Sequence, residues 1–547
     1  MTLKRKNSFV AVFAAVGLVS GLMTGCGSDQ EEAAPAASSP SPGQTAQAAN
    51  VYPLQDSGTL TYWGPVGNSN MTNFFPNVGE TPFGKELEAR TGVKVKYTHP
   101  AAGQQKEQFN LMIASNELPD IVETNWFNGG DYPGGPDKAL KDKLILPLND
   151  LIDKHAPNLK KLLEQNKELK KMLQTDSGEI FVFPMIRNPV SQVYTGPMVR
   201  KDWLDELGLA VPTTIDEWET MLKAFKEKKG AAAPFSAYSV STGEMNIGST
   251  FIGAYRTSDG FYLDDNGQVK YGPAQPQFKD ALTLFNRWYK DGLIDKDFAL
   301  TDTKTLTSKI VSGQAGATVN LLSGGLQTYL DAMAGKDPKF NMVGTPYPTL
   351  KKGETPFVGQ YDFPIVPGRG AAITADAKNP ELAVKWLDYA YSTEGSRLFN
   401  FGIEGVSYEL KNGKPAFTDK ITKDPAYSMV QMLSQYVRYN GPFAIDEEFT
   451  KAVMKYPQQE EAVKLWSATD APKHALPPFI TPTEDEAREL AKIFTAITSY
   501  KSEMVLKFII GKEPLDSFDA YVKQMEQLGL SKVLNIYQGA LERYNAR

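Results

Sequence analysis

The residue types best placed for chemistry are aromatic and amide side chains that follow predicted strands. Trp63 ends the alternating run 59–63, and Asn125 and Trp126 follow the short predicted strand 120–123. An indole ring offers a flat apolar face for stacking, and an amide both donates and accepts hydrogen bonds. Such groups favour reversible binding of a small molecule over making or breaking bonds.

Motifs of the common hydrolases and nucleotide enzymes do not occur in the sequence. It contains no Gly-x-Ser-x-Gly, no Gly-Lys-Ser/Thr phosphate loop and no His-Glu-x-x-His. Glycoside hydrolysis needs only two carboxylates, and Glu404 with Glu409 is a pair that could be proposed. Hydrogen bonding within a loop is the simpler interpretation of that pair. We therefore expect no enzyme.

Composition limits the partners and the metals. The net charge of −6 argues against a nucleic-acid partner. The chain has one Cys, which excludes an intramolecular disulfide, and three His residues, His99, His155 and His474. With the Cys in the leader, a thiolate zinc site is excluded and an imidazole site is not expected.

Predicted strands alternate with predicted helices in the first part of the chain. Strands are predicted at 59–63, 93–97 and 120–123, and helices at 83–90 and 105–115. This order predicts an α/β fold with parallel sheets and helices on their faces. Ligands of such sheets bind beyond the carboxyl ends of the strands, where Trp63 and Trp126 are placed.

Helix starts and apolar stripes predict the core. Thr214 with Glu217 and Thr483 with Glu486 have the spacing of capping boxes. Asn379 followed by a proline predicts a further helix start. Four tryptophans are interpreted as core residues rather than ligand contacts: Trp218, Trp288, Trp386 and Trp466.

The N-terminus predicts secretion and lipidation. A basic start at residues 4–6 precedes an apolar run, 9–22, that is too short to span a bilayer. The run ends in Leu22-Met23-Thr24-Gly25-Cys26, which resembles a bacterial lipobox. We expect a signal peptide over 1–25 and acylation of Cys26, the palmitate-bearing anchor of an extracellular lipoprotein. An ordinary cleaved signal with a chance Cys is the alternative.

Residues 26–55 are predicted to be a flexible linker. Residues 27–50 are rich in Ala, Ser, Pro and Gln and poor in large apolar side chains, so they cannot form a core. We expect the linker to hold a soluble body outside the cell membrane, on the outer leaflet of a Gram-positive cell.

Six stretches, in this order, resemble a known family. They are FNLMIASNELPDIVE (109–123), GEIFVFPMIRNPVSQVYTG (178–196), VRKDWLDELGLAVPTTIDEWETMLKAFKE (199–227), ALTLFNRWYKDGLIDKDFA (281–299), AVKWLDYAYSTEGSRLFNFGIEGVSYE (383–409) and FIIGKEPLDSFDAYVKQMEQLGLSKVLNIYQGALERYN (508–545). The chain resembles the family 1 extracellular solute-binding lipoproteins, which are the receptors of carbohydrate ABC importers. Larger members that bind alginate oligosaccharides and other complex glycans are the most similar.

The resemblance implies a two-lobed, class II periplasmic-binding-protein-like fold with the ligand in the cleft between the lobes. Lobe one is expected over 56–187, with 345–410 returning to it. Lobe two is expected over 188–344, with 411–547 packing mainly on it. The chain is expected to cross between lobes near 184–194 and again near 343–348.

The resemblance also implies the ligand and the partners. We expect an oligosaccharide ligand, ABC permease subunits on separate chains, a monomeric receptor and no cofactor. The expected cleft residues are Trp63, Asn125, Trp126, Tyr255, Arg256, Asn320, Gln360, Tyr361, Asp362 and Tyr408. Sugars have apolar C–H faces and a rim of hydroxyl groups, which aromatic rings and amide or carboxylate groups complement.

The chain departs from the family pattern at a loop where larger members hold calcium. Residues 226–234 offer one carboxylate and three lysines, whereas a calcium ion needs six to eight oxygen ligands. Asp264-Asp265-Asn266-Gly267 is interpreted as a hairpin turn. We therefore expect no metal at either place.

Two other functions stay open. The chain could be a receptor of the same fold for a non-sugar solute, such as a peptide or an amine-bearing metabolite. It could also be a surface module that acts on or adheres to polysaccharide. Within the sugar hypothesis, an anionic uronate ligand would require cationic groups in the cleft, and Arg187, Arg256 and Arg369 are the candidates.

Overall fold

The computed structural model describes residues 50–547 apart from 56–57, 128 and 240–248. The predicted signal peptide, Cys26 and all but the last residues of the predicted linker lie outside the described residues. None of the described helices is long and apolar enough to cross a bilayer.

The strands of the described residues are short. They are β1 (Thr59–Trp63), β2 (Lys94–Thr98), β3 (Ile121–Thr124), β4 (Thr195–Arg200), β5 (Phe261–Leu263), β6 (Val269–Tyr271), β7 (Ala317–Leu321), β8 (Met342–Gly344), β9 (Gly370–Ile373), β10 (Tyr408–Lys411) and β11 (Lys414–Phe417).

Helices make up most of the regular secondary structure. The helices before β7 are α1 (Pro82–Thr91), α2 (Gln105–Ser115), α3 (Gly135–Lys141), α4 (Asn149–His155), α5 (Pro157–Gln165), α6 (Lys167–Leu173), α7 (Lys201–Leu207), α8 (Ile215–Lys229), α9 (Pro276–Lys290) and α10 (Thr303–Val311). The later helices are α11 (Thr328–Met333), α12 (Pro380–Tyr389), α13 (Thr393–Phe401), α14 (Asp419–Thr422), α15 (Met429–Tyr436), α16 (Glu447–Ala452), α17 (Pro457–Ser467), α18 (Ala471–His474), α19 (Glu484–Ile510), α20 (Phe518–Leu528) and α21 (Leu530–Asn545).

The first sheet confirms the predicted parallel arrangement. Its strand order is β2-β1-β3-β9, and β1 is parallel to both β2 and β3. The strand β9 pairs with β3 antiparallel. The predicted strands and helices of this region match the observed ones closely, and α2 has the predicted bounds.

The second sheet does not follow the parallel prediction. Its order is β7-β4-β8, and β4 is antiparallel to both neighbours. β4 is the first strand after the chain leaves the first sheet, and it enters between two strands that run the opposite way. β9, the first strand after the return, is likewise antiparallel to its neighbour. The strand–helix–strand rule is therefore wrong at both strands that follow a crossing.

Separate apolar cores surround the two sheets. The first core includes buried residues from β1 to β3, from α12 and from the C-terminal half of α21. The second includes residues from α8, α9, α19 and the N-terminal half of α21, and a smaller cluster joins α10, α11 and α17. Each core supports one lobe of a two-lobed α/β fold, and α21 contributes to both.

Helix starts and core tryptophans follow the sequence analysis. Both predicted capping boxes form. The Thr214 and Thr483 side chains accept from the backbone amides of Glu217 and Glu486, and each glutamate side chain accepts from the backbone amide of its threonine. Caps of this kind contribute about 1 kcal/mol each. Trp218, Trp288, Trp386 and Trp466 are all buried, which confirms their interpretation as core residues.

The two lobes are joined by extended segments that lie side by side. Ile186, in the first crossing, forms β-bridges with Ile365 and Ala444. The second crossing lies at about 360–366, later than the expected 343–348. Before it, β8 completes the second sheet and Thr349 still bridges to Thr214 of lobe two.

Candidate functional site: a tyrosine-lined cleft at the crossing

A cavity of about 390 Å³ opens beside the second sheet. That volume lies within the range of small-molecule sites. Its walls come from the start of β4, the β5 hairpin, the second crossing and α18. The lining residues used below are Tyr194, Ser249, Ser258, Asp259, Tyr262, Tyr347, Gln360, Tyr361 and His474.

A second cavity of about 400 Å³ adjoins the first. The two share Phe261, Tyr361 and Ala475 in their linings. Its other walls come from 362–367 and 476–478, and Ile365 there belongs to the core of lobe one. The two cavities thus form one cleft that follows the crossing from lobe two to lobe one.

One wall of the cleft contains a cluster of packed aromatic rings. Tyr262 packs edge-on against Phe357, and the Phe357 ring lies 3.8 Å from the His474 ring, centroid to centroid. His474 Nδ1 is 2.8 Å from the Leu263 carbonyl oxygen, which fixes the imidazole in place. Tyr262 and His474 line the first cavity, but all three rings are buried, so they support this wall from behind.

Ser249, Ser258 and Asp259 add polar groups to the lining of the first cavity. The Ser249 hydroxyl donates to Asp259 Oδ1 at 2.7 Å, and the Asp259 amide donates back to Ser249 Oγ at 3.1 Å. The Ser258 hydroxyl lies 3.0 Å from Ser249 Oγ. Hydroxyl and carboxylate groups here can exchange hydrogen bonds with a polyhydroxylated ligand.

Gln360 joins the two crossing segments. Its Oε1 accepts from the amides of Tyr194 at 2.7 Å and Thr195 at 3.2 Å. Its Nε2 donates to the Gln192 carbonyl at 3.2 Å and to Asp362 Oδ1 at 3.1 Å. A Cβ atom at the preceding Gly359 would lie 2.7 Å from the Tyr347 ring, so glycine allows this close approach. These four side-chain bonds make Gln360 a structural element of the hinge.

Asp362 continues the same network. It is paired with Arg187 at 3.1 Å and accepts from the Tyr194 hydroxyl at 2.9 Å. Burial, and then the Asp362 charge, raise the pKa of Tyr194 to about 12, so the phenol keeps its proton and donates it. Arg187 also lies over the Tyr194 ring, 5.1 Å from its centroid. The charges of Arg187 and Asp362 are therefore balanced within the hinge.

Three predicted site residues lie at the end of the first sheet, outside both cavities. Trp63 is 5% exposed and packs against Phe109, and Trp126 is 1% exposed. The Trp126 Nε1 donates to the Val122 carbonyl at 3.0 Å, and Asn125 Oδ1 accepts from the Phe127 amide at 3.2 Å. The Trp126 donor and the Asn125 acceptor are therefore used within lobe one.

The remaining predicted residues are dispersed. Gln360 and Tyr361 line the first cavity, and Tyr361 and Asp362 line the second. Asn320 is buried and donates to the Tyr329 hydroxyl at 2.6 Å, although its neighbour Val319 lines the cavity.

Tyr255, Arg256 and Tyr408 also line neither cavity. Tyr255 is half-buried at the edge of the lobe-two core. Arg256 pairs with Asp265 at 2.9 Å and lies over Phe357, behind the ring wall. Tyr408 is buried in a separate cluster with Phe401 and Phe417. The sequence analysis missed Tyr194, Tyr262 and Tyr347; Tyr194 ended the predicted first crossing, which was the one available signal.

The predicted turn after β5 is confirmed. β5 and β6 pair antiparallel, and Asp264 Oδ1 accepts from the amides of Asn266 at 2.9 Å and Gln268 at 3.0 Å. In the described part of the chain, no group of three His, Cys, Asp or Glu residues is placed to hold a metal ion.

Two α/β lobes, joined by paired crossing segments with a cleft along them, define a protein of the two-lobed solute-binding class. Residues 68–397 match the family of bacterial extracellular solute-binding proteins. The match covers more than half of the chain, which therefore belongs to this family.

Individual relatives extend the similarity over nearly the whole chain. The fructooligosaccharide ABC transporter substrate-binding protein FusA of Streptococcus pneumoniae is 25% identical over 91% of this chain and 92% of its own. A crystal structure of alginate-binding protein AlgQ2 without calcium ion is 26% identical, with a TM-score of 0.68 over 89% of this chain and 98% of that one.

A third relative shares the fold. It is a human-milk-oligosaccharide (HMO) binding, ABC-transporter-associated solute-binding protein of Bifidobacterium longum infantis. The TM-score is 0.72 at 19% identity, over 90% of this chain and 99% of that one. The comparisons confirm the family and the two-lobed fold inferred from the sequence.

Proposed function

We propose that this protein is the substrate-binding subunit of an ABC importer and captures an oligosaccharide in the cleft at its hinge. The observation that carries the proposal is the cleft itself, whose lining combines aromatic rings with hydroxyl and carboxylate groups. Relatives that match nine-tenths of the chain carry names of oligosaccharide and glycan receptors.

The geometry accounts for both affinity and closure. The partly exposed Tyr361 ring can stack on a sugar face, while Ser249 and Asp259 can bond to hydroxyl groups. A micromolar receptor needs about −8 kcal/mol in total, which a few rings and hydrogen bonds supply. A ligand that contacts the walls of both lobes stabilises the closed arrangement, because the open arrangement lacks half of those contacts.

The test combines calorimetry with solution scattering. The purified protein is titrated with a panel of oligosaccharides, and each ligand that gives a heat signal is then added at saturation in small-angle X-ray scattering. We expect at least one micromolar ligand and a smaller radius of gyration when it is bound. A panel with no heat signal, or binding without any change in shape, would contradict the proposal.

We propose binding without conversion. The family consists of solute-binding proteins. Ligand recovered from the complex after prolonged incubation is expected to be chemically unchanged by mass spectrometry. A shortened or modified sugar would favour the polysaccharide-active alternative. A peptide that binds where no sugar does would favour the non-sugar receptor.

We propose that the protein is a monomeric lipoprotein anchored through Cys26 to the outer face of the cell membrane, where it delivers ligand to separate permease subunits. The support is the sequence 22–26, with the only Cys of the chain at the lipidation position. A Cys26→Ser variant is expected to be released into the medium, whereas the wild-type protein stays with the membrane and incorporates labelled palmitate. Equal membrane retention of both would contradict anchoring.

The lobe boundaries stay a proposal. We propose lobe one at 56–187 with the returning segment up to 410, and lobe two at 188–344 with most of 411–547. Residues 345–349, which were expected in lobe one, pair with lobe two, so we place the return at about 360–366. Domain-resolved hydrogen exchange with and without ligand checks this division, because the hinge segments should gain protection together on closure.

A further inference from the structure

The charges in the cleft have one sign. Among the described residues that line the two cavities, the carboxylates are Asp259 and Asp362, and no lysine or arginine occurs. A cleft that binds a carboxylated ligand needs a cation to replace the water that the carboxylate loses.

Only one of the two carboxylates is balanced. Asp362 is paired with Arg187 and bonded to the Tyr194 hydroxyl. Asp259 is exposed and accepts from the hydroxyls of Ser249 at 2.7 Å and Ser258 at 3.4 Å. In the described part of the chain it takes part in no ion pair, so its negative charge faces the ligand space.

Two arginines near the cleft form ion pairs with aspartates of this chain. Arg187 is held by Asp362, and Arg256 by Asp265. His474 lines the cavity, and its Nδ1 is bonded to the Leu263 carbonyl oxygen at 2.8 Å. Arg369 lines neither cavity. Like Arg369, Arg187 and Arg256 lie outside the lining of both cavities.

We infer that the cleft selects uncharged oligosaccharides and rejects uronate-containing ones, with Asp259 as the residue that repels the carboxylate. The inference rests on the proposed function and narrows it to a ligand class. A neutral sugar uses Asp259 as a hydrogen-bond acceptor, whereas a uronate loses hydration, finds no cation and faces a like charge. The protein then discriminates through repulsion of the uronate as well as through its contacts with the neutral sugar.

The experiment compares length-matched trisaccharides by calorimetry. The neutral set contains fructo-, gluco- and galacto-trisaccharides, and the acidic set contains galacturonate and alginate trimers. For the wild-type protein at low salt, we expect the best neutral ligand to bind at least about tenfold more tightly than any uronate. The gap should shrink at high salt, because screening weakens the repulsion of an exposed charge.

The variant Asp259→Asn tests the residue. It keeps the shape and a hydrogen-bonding group but removes the charge, so uronate affinity should rise about threefold or more relative to neutral affinity. Asp516→Asn is the matched control, because it removes the same charge from an exposed carboxylate that lines neither cavity. It should leave the ratio unchanged.

The possible outcomes distinguish a failure of this inference from a failure of the proposed function. Uronate trimers that bind as tightly as neutral ones would overturn the inference and leave the sugar receptor intact. An equal response of Asp259→Asn and Asp516→Asn would overturn the role of Asp259. Binding by neither class would overturn the proposed function itself.

Discussion

Aromatic side chains occur in two contrasting settings at the ends of the two sheets. In lobe one, Trp63 and Trp126 follow β1 and β3 and are almost completely buried. In lobe two and along the crossing, Tyr194 and Tyr361 remain partly exposed beside hydroxyl and carboxylate groups. The carboxyl end of a strand places a residue near a cleft, but the neighbours decide whether its ring is core or contact surface.

The difference has a physical cause. The Trp126 indole has one donor, which the Val122 carbonyl satisfies, so the ring can be buried without loss. The Tyr194 phenol carries its polar atom at the far end, where Asp362 holds it at the rim of the cleft. Rings with a polar tip suit a surface that is apolar on one side and wet on the other.

The largest expected effect is on lobe one. Trp126→Ala should lower the free energy of unfolding by about 3–5 kcal/mol, because it leaves a large cavity among Phe109 and other buried rings. Urea unfolding followed by circular dichroism measures this. Leu300→Ala, at an 86% exposed position, is the control and should change little. Unaltered stability together with abolished ligand binding in Trp126→Ala would show that this ring is a ligand contact and not part of the core.

A pH titration tests whether the strand ends of lobe one are sealed. Burial lowers the pKa of His99 to about 4; its Nδ1 lies 2.7 Å from the Gly64 carbonyl, and its Nε2 accepts from the Val78 amide. The unfolded chain takes up a proton near pH 6.5, so this contribution to stability is full above that pH. It should fall by up to about 3 kcal/mol as the pH drops to 4.

The matched variant for this titration is His99→Gln, which cannot take up the proton. The difference in stability between the two proteins should shrink as the pH falls from 6.5 to 4. Parallel stability curves over that range would show that His99 is accessible to water and that the strand ends are open.

The hinge should respond less strongly than the core. Gln360→Ala leaves the amides of Tyr194 and Thr195 without their side-chain acceptor and should cost about 1–3 kcal/mol of stability. It should also change the extent of closure in scattering. Gln527→Ala, on the exposed face of α20, is the control. Identical behaviour of the two variants would show that Gln360 does not hold the crossings together.

The smallest expected effect on stability is at the cleft surface. Tyr361→Ala should weaken ligand binding about tenfold, or 1.4 kcal/mol, and change the free energy of unfolding by less than about 1 kcal/mol. Tyr361→Phe keeps the ring and should retain most of the affinity. Tyr427→Ala, at a 45% exposed position outside both cavities, should affect neither property. Unchanged affinity in Tyr361→Ala would remove this ring from the site.

Local sequence signals predicted much of the fold. The capping boxes at Thr214 and Thr483 fix helix starts through contacts three residues apart, so they can be found without tertiary information. The directions of β4 and β9 could not be found this way. They depend on which lobe the chain enters and on strands that lie more than a hundred residues away.

The candidate site was harder to predict for the same reason. Gln360, Tyr361 and Asp362 were predicted because they follow Gly359 in the segment expected to return to lobe one, and they line the two cavities. Tyr262 and Tyr347 belong to segments that meet at the cavity only after the second sheet and the β5 hairpin have formed. Trp63 shows the converse, because its position at a strand end did not reveal that Phe109 covers it.

A crystal structure with a bound neutral oligosaccharide tests the central claim most directly. The account predicts sugar density along the crossing segments, stacked on Tyr361 and bonded to Asp259, with contacts to both lobes. Sugar density at the ends of β1 and β3 against Trp63, with only solvent in the tyrosine-lined cleft, would contradict it.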